Sequence, residues 1–320
     1  MNRFRASWEL FKASVTVMSQ NKVLLIFPIC TAMLSVCIVL LFIVPVAFQP
    51  TGHSYSSAQH WETVFNSVFK LDPNHTSQAA ASDDSPRERR TNAITRVRPL
   101  AVGYFALMYF ITMFSATFCN VVFYREIMNA LSGQPVSILD GIRFACTRWK
   151  IILMWTLFAG LVGFIIRNLE QRFGIIGEIF MKLIGAVWSI ACVFVIPVIV
   201  VDEEASNPFI VLKKSAVTLT QTWGESLIAY AGVSVGGAFI ILTSLVWLAA
   251  WIAMASMLKL SWLILVGFAG WFLGIIVLGY LSSVASQVFR CALFLYASQG
   301  NLPAPYTDDM MALAWRTRKR

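Results

Sequence analysis

Six apolar runs dominate the chain: Val23–Phe48, Leu100–Tyr124, Ile151–Ile166, Phe180–Val201, Leu227–Met254 and Leu263–Phe289. Their interiors carry no Asp, Glu, Arg or His, and the one lysine, Lys182, lies near the edge of the fourth. A helix needs about 20 consecutive apolar residues to cross the hydrocarbon of a bilayer. The third run is short by that measure. Trp149 and Lys150 before it and Arg167 after it can snorkel to the head groups, and the helix is expected to continue past Arg167. No run alternates with period two, so a membrane β-barrel is excluded and closed helices remain the way to satisfy the backbone in lipid. Only 13% of the residues are charged, against roughly 25% in a soluble domain. The expected fold class is all-α, a polytopic membrane bundle of six transmembrane helices. The first run is too long for a signal-peptide core and lacks a small-x-small cleavage site, so it reads as an uncleaved anchor.

The net charge of +9 does not point to nucleic acid, because the basic residues flank apolar runs and form no separate basic domain. Anionic lipid is the partner they suit. With the N-terminus inside, Lys and Arg total 15 on the inner side and 10 on the outer side. Both termini are therefore expected in the cytoplasm. The cluster Arg87–Arg98, in the first outer loop, runs against that assignment.

A basic amphipathic segment precedes the first, third and fifth runs. Phe4, Trp8, Phe11 and Val15 recur at helical spacing with Arg3, Arg5 and Lys12 between them, the pattern of an interfacial helix lying at the membrane surface. Ile138–Lys150 and Pro208–Gly224 repeat it, with Arg143, Arg148, Lys213 and Lys214. The chain thus reads as three units, each a cytoplasmic interfacial helix followed by a hairpin of spans. One membrane domain is expected over residues 1–305, with a long outer loop at 49–99 and a basic cytoplasmic tail at 306–320. In the loop, Trp61, Val64, Phe65, Val68 and Phe69 form a one-sided apolar helix, and 72–98 has the composition of a disordered segment. Asn74-His75-Thr76 is a glycosylation sequon, relevant only in a secretory pathway.

The polar residues of the spans collect toward one end. Asn120 lies near the end of the second run and Asp202 follows the fourth. Ser283, Ser286, Gln287 and Arg290 share one face of the sixth at i, i+3, i+4 and i+7. This cluster is the candidate binding site, either a pocket for a lipid head group or a set of helix–helix hydrogen bonds with a snorkelling arginine. Equal depth suggests that Arg290 pairs with Asp202. Gly232/Gly236 and Gly270/Gly274 form GxxxG pairs suited to close contacts within the bundle. The six cysteines form no CxxC pair and read as small buried hydrophobes. His53, His60 and His75, with Asp72, Asp83 and Asp84, match no standard metal spacing, so no metal and no cofactor are expected. No nucleophile motif, HExxH, Walker loop or GxGxxG is present, which argues against an enzyme.

Several stretches carry a resemblance: Phe4-Arg5-Ala6-Ser7-Trp8-Glu9-Leu10-Phe11-Lys12, Phe118-Cys119-Asn120, Trp188-Ser189 with Val195-Ile196-Pro197, Lys214-Ser215 with Trp223-Gly224-Glu225, and Leu295-Tyr296-Ala297 before Gly300-Asn301-Leu302-Pro303. Together the chain, up to about Pro305, resembles an uncharacterised family of bacterial integral membrane proteins, a domain of unknown function. The resemblance implies the bacterial inner membrane and supplies no activity. The long 49–99 loop departs from the family pattern. The layout of surface helix plus hairpin is also loosely similar to membrane domains attached to some glycerophosphodiester phosphodiesterases, an analogy of fold alone. The function expected is that of a non-enzymatic membrane component that organises membrane lipids or a membrane protein partner. The alternative is a facilitator or transporter with a polar inner-leaflet pocket.

Overall fold

A computed structural model describes residues 3–70, 96–97, 99–172, 175–203, 205–222, 244–259, 261–300 and 303–307. The helices are α1 (Arg3–Gln20), α2 (Ile26–Ala47), α3 (Ala58–Val68), α4 (Pro99–Leu131), α5 (Ile138–Thr147), α6 (Trp149–Arg172), α7 (Ile175–Ala191), α8 (Val195–Val201), α9 (Pro208–Thr222), α10 (Ser244–Met257) and α11 (Ser261–Gln299). A 3-10 turn, Lys22–Leu25, joins α1 to α2. The fold is all-α. The described strands are two residues each, β1 (Phe69–Lys70) and β2 (Arg96–Val97), paired antiparallel with Phe69 opposite Val97.

Five stretches among the described residues are helical, long and apolar enough to cross a membrane: Lys22–Ala47, Leu100–Leu131, Trp149–Glu170, Ile179–Val201 and Trp262–Gln299. They leave large apolar side chains uncovered, Leu41 at 70%, Phe164 at 66% and Leu265 at 74% exposed. Apolar surface on that scale needs a cover, and lipid supplies it. The chain is a membrane protein. Of the fifth predicted run, the described part is the apolar helix α10.

The helices outlast the apolar runs that mark them. Helix α4 continues beyond Tyr124 through Arg125 and Glu126 to Leu131, and α6 continues beyond Arg167 to Arg172. Arg and Glu are good helix formers, so apolarity marks the depth of the bilayer and not the length of the helix. The fourth run is divided. Cys192–Phe194 form a turn, and α8 restarts with Pro197 in its first turn, where a missing N–H costs no intrahelical bond.

The chain forms two compact units, Thr31–Ala116 and Met1–Cys30 with Thr117–Arg320. In the first, Pro45 removes an N–H from α2, and the Tyr104 hydroxyl of α4 donates to the nearby Phe42 carbonyl at 2.8 Å. His60 on α3 is fully buried. Its Nε2 donates to the Ala47 carbonyl at 2.9 Å, and its Nδ1 lies 2.6 Å from the Thr51 hydroxyl. Both ring nitrogens are thereby engaged in holding α3 to the end of α2. The apolar helix expected in this loop is present, but the residues it buries are His60 and Val64, while Trp61 and Phe65 are each 49% exposed.

In the second unit α9 packs against α6, α7, α8 and α11, and α1 packs against α11. Phe194, Ile199, Val211, Val284 and Val288 form the centre of the core. Aromatic rings join the layers: Trp155 of α6 stacks on Trp188 of α7 with centroids 6.2 Å apart, and Phe158 meets Phe209 of α9 at 4.6 Å. Helices α10 and α11 form a hairpin whose turn holds Lys259 at φ 55°. Trp251 donates its indole N–H to the Leu263 carbonyl at 2.9 Å and lies directly over Gly267, where a Cβ would fall 2.0 Å from Nε1.

Two expectations need correction. A Cβ at Gly270 or Gly274 would meet nothing within 4 Å, so among the described residues these glycines mediate no contact. Of the cysteines only Cys291 is buried; Cys119 and Cys192 are half-buried, and Cys30, Cys37 and Cys146 are exposed. Burial inside the protein therefore does not explain the set. Gly232, Gly236, Trp223-Gly224-Glu225, the sequon at Asn74, His75, the acidic residues of the outer loop, its basic cluster from Arg87 to Arg90 and the basic tail lie outside the described residues.

Candidate functional site

Helices α1, α5 and α9 are the three predicted surface helices, and each packs onto the second unit by one face only. On α1 the packed face is Ala13, Ser14, Val17 and Met18. Val15 is 37% exposed and Phe11 half-buried; the side chains of Phe4 and Trp8 lie outside the described residues. On α5 the packed residues are Gly141 and Ala145, while Leu139 at 57%, Ile138, Ile142 and the following Trp149 face outward. On α9 Val211, Ser215 and Leu219 are buried, and Phe209, Ile210 and Val217 are exposed beside Lys213. On α1 the described outward residues are Lys12, Val15, Ser19 and Gln20; on α5 and α9 the outward face is apolar and edged with basic residues. That is the composition of a helix lying in a membrane interface.

Beneath α9 sits the divided helix. In an unbroken helix the Phe194 N–H would bond to Ile190 and the Val195 N–H to Ala191. Here Val193 takes the Ile190 carbonyl and Val195 turns to Cys192. The Ser215 hydroxyl replaces both lost partners: it donates to the Ala191 carbonyl at 2.6 Å and accepts the Phe194 N–H at 3.1 Å. The preceding residue, Lys214, places Nζ 2.5 Å from Asp202 Oδ2 at the other end of α8. Two consecutive side chains of α9 thus hold both ends of α8.

A second junction joins α4 to α5. Glu126 is fully buried and accepts the Ser137 N–H at 2.7 Å and the Asn129 amide at 3.2 Å. Ser137 in turn caps α5 by accepting the Asp140 N–H at 3.4 Å. Helix α5 approaches so closely that a Cβ on Gly141 would lie 2.9 Å from Val122 Cγ1 and 3.1 Å from Glu126. Above this contact the Arg125 guanidinium lies 4.6 Å, and that of Arg148 5.7 Å, from the centre of the Phe144 ring.

The predicted polar residues are placed as follows. Asn120 is half-buried on α4. Asp202 is bound to Lys214, a partner that depth alone did not suggest. On α11, Ser286, Gln287 and Arg290 are half-buried and Ser283 is exposed, whereas Val284, Ala285, Val288 and Cys291 are buried. The polar face thus lies on the flank of α11, beside the core and not within it. Ser286 turns its hydroxyl to the Ser282 carbonyl of its own helix at 2.8 Å. Glu126, Ser137 and Ser215 were not singled out as site residues. Glu126 lay just beyond an apolar run, and its one sequence signal was Asn129 at i+3. For Ser215 the signal was the Lys-Ser pair together with Pro197.

Residues 100–303 match the model of a family of unknown function (DUF6159). The chain belongs to this family. No curated protein and no solved structure matches it. The DUF6159 match takes in α4 to α11, hence both junctions and two of the three surface helices. It leaves outside the opening Phe4–Lys12 segment and all of the 49–99 loop.

Proposed function

We propose that this DUF6159 chain is a non-enzymatic component of the bacterial inner membrane, with both termini in the cytoplasm, that organises lipid or a partner membrane protein through α1, α5 and α9. The supporting observation is that all three helices bury one face on the bundle, while on α5 and α9 an apolar, basic-edged face points away from it. A facilitator would want its polar residues facing an enclosed path. The setting of exposed Ser283 and half-buried Gln287 and Arg290 on the flank of α11 favours the surface reading. The Lys and Arg distribution supports the orientation.

The test uses an environment-sensitive fluorophore on single cysteines introduced as Val15→Cys, Ile142→Cys and Val217→Cys, with the six native cysteines replaced and the chain in lipid nanodiscs. Blue-shifted, lipid-quenchable emission is expected at all three. Water-like emission at all three overturns the reading. A reporter fused after Arg320 should be active on the cytoplasmic side, and activity on the outer side would reverse the orientation.

A further inference from the structure

We propose that Arg125, Phe144 and Arg148 form a binding site for the phosphate of an anionic phospholipid head group. The proposal rests on the surface-helix reading above and names its ligand and its residues.

The two arginines come from different elements. Arg125 lies in the cytoplasmic-end extension of α4, past its apolar run, and Arg148 is the residue that ends α5. Phe144 brings them together. Each guanidinium carbon lies no more than 5.7 Å from the centre of the same ring, so the two stand within about 10 Å of each other. A phosphate accepting hydrogen bonds from both guanidinium groups needs about that separation or less. A guanidinium that uses its flat face against an aromatic ring keeps its N–H edges available. Phe144 therefore orders two long side chains without occupying the donors that would hold an anion.

Among the described residues the nearby acids Glu126, Asp140 and Glu203 form no ion pair with either arginine. Glu126 is engaged by Ser137 and Asn129, and Asp140 pairs with Arg143 at 3.4 Å. Arg148 directs one nitrogen, Nη1, to the Glu203 carbonyl at 2.9 Å, which leaves its remaining donors and fixes its position. Among the described residues the Arg125 guanidinium has no hydrogen-bond acceptor. Asp140, the most exposed of these acids, is already balanced by its neighbour. What remains is a pair of ordered cations with donors to offer.

Depth selects the lipid as the source of the phosphate. Arg148 immediately precedes Trp149, which is 50% exposed and opens the candidate span Trp149–Glu170. A tryptophan at the start of a span marks the head-group level. Lys150 follows it. Ile138, Leu139 and Ile142 on the same helix are exposed, where acyl chains would meet them. The site therefore combines a phosphate-binding pair with an apolar shoulder, the two parts of a phospholipid.

The full-length chain in a neutral detergent, examined by native mass spectrometry, provides the test. Short-chain phosphatidylglycerol, phosphatidylcholine and inorganic phosphate are titrated separately. The expected result is preferential retention of phosphatidylglycerol, reduced roughly tenfold by Arg125→Gln or by Arg148→Gln, the scale of losing one charge-assisted hydrogen bond. Phe144→Leu should give a smaller loss, because the donors remain and their ordering does not. Arg167→Gln, at an exposed position elsewhere, should bind as the unsubstituted chain does. Equal retention of phosphatidylglycerol and phosphatidylcholine by the unsubstituted chain would sink the surface reading itself. A preference that survives the Arg125→Gln/Arg148→Gln double substitution would sink this site and leave that reading standing. Displacement of the lipid by inorganic phosphate would overturn the lipid as the ligand. Each variant must keep the melting temperature of the parent; where one does not, Arg125→Lys, which keeps the charge and loses the planar fork, is expected to fall between parent and Gln variant.

Discussion

Ser215 Oγ lies 2.6 Å from the carbonyl oxygen of Ala191, and the same hydroxyl accepts the Phe194 N–H at 3.1 Å. One side chain on α9 therefore serves as both missing partners at the break between α7 and α8, using the one donor and the acceptor lone pairs a serine has. Ser215→Ala leaves two buried backbone groups unpaired and should cost roughly 2 kcal/mol or more. Ser215→Thr keeps the hydroxyl and should cost less. Unfolding of both variants in detergent measures the difference, and equal losses would mean that the hydroxyl contributes nothing.

The adjacent pair, Lys214 with Asp202, should couple more weakly. The Lys214 side chain is 49% exposed, and solvent screens such a bridge. A double-mutant cycle with Lys214→Gln and Asp202→Asn should return about 0.2–1 kcal/mol. The parallel cycle of Asp202→Asn with Arg290→Gln tests the pairing suggested by depth. Additive losses in that cycle would leave Arg290 as an anchor to lipid phosphate.

Glycines separate into those that permit an approach and those that do not. Gly141→Ala forces a methyl to within 2.9 Å of Val122 Cγ1, a buried and β-branched side chain with little room to turn. A loss of about 1–3 kcal/mol is expected. Gly274→Ala meets nothing within 4 Å and should be neutral or gain up to about 1 kcal/mol of helix propensity. Melting temperatures that rank the two variants the other way would refute the contact at α5.

Tyr306 supplies a pH dependence. Burial raises its phenol above the ordinary tyrosine range, the Ser14 hydroxyl pulls it part of the way back, and Cys291 adds to the rise. A folded pKa above the unfolded one means that the protonated phenol stabilises the fold below about pH 10 and that this contribution is lost as pH climbs toward the folded value. Tyr306→Phe should be less stable at neutral pH by about 1 kcal/mol, for the lost Ser14 bond. Its deficit should shrink as the solution becomes alkaline. Parallel stability curves would show that the phenol does not titrate with unfolding.

What the sequence made legible follows from what hydrophobic spacing can report. The spans were legible because lipid demands length and apolarity together. The surface helices were legible because Lys and Arg alternate with Phe, Trp and Ile at helical spacing. The face by which α1 packs was not. It is built on Ala13, Ser14, Val17 and Met18, and the first two are small residues that leave no trace in a hydrophobic pattern yet allow close contact with α11. Glu126 leaves a faint signal because the apolar run stops at Tyr124 while the helix does not. A buried carboxylate there is tolerable only through the Ser137 and Asn129 hydrogen bonds, and a linear reading does not contain them. The two ring nitrogens of His60 face Thr51 and Ala47, partners set by how α3 folds back and invisible to ligand spacing. Lys214, a partner of Asp202 twelve residues along the chain, carries no signal of depth or hydrophobic spacing, because its position on α9 is set by how that helix folds back over α8.

Ser14 and Tyr306 share a hydrogen bond of 2.8 Å across 292 positions of the sequence. Helix α1 emerges from the ribosome well before α11 and the segment that follows it. Until those arrive, the helix that its buried face packs against most is absent. The pairing of α1 with α11 therefore follows the insertion of the intervening spans, and the molecule acquires its finished form by a closure that the order of synthesis makes one of the last events.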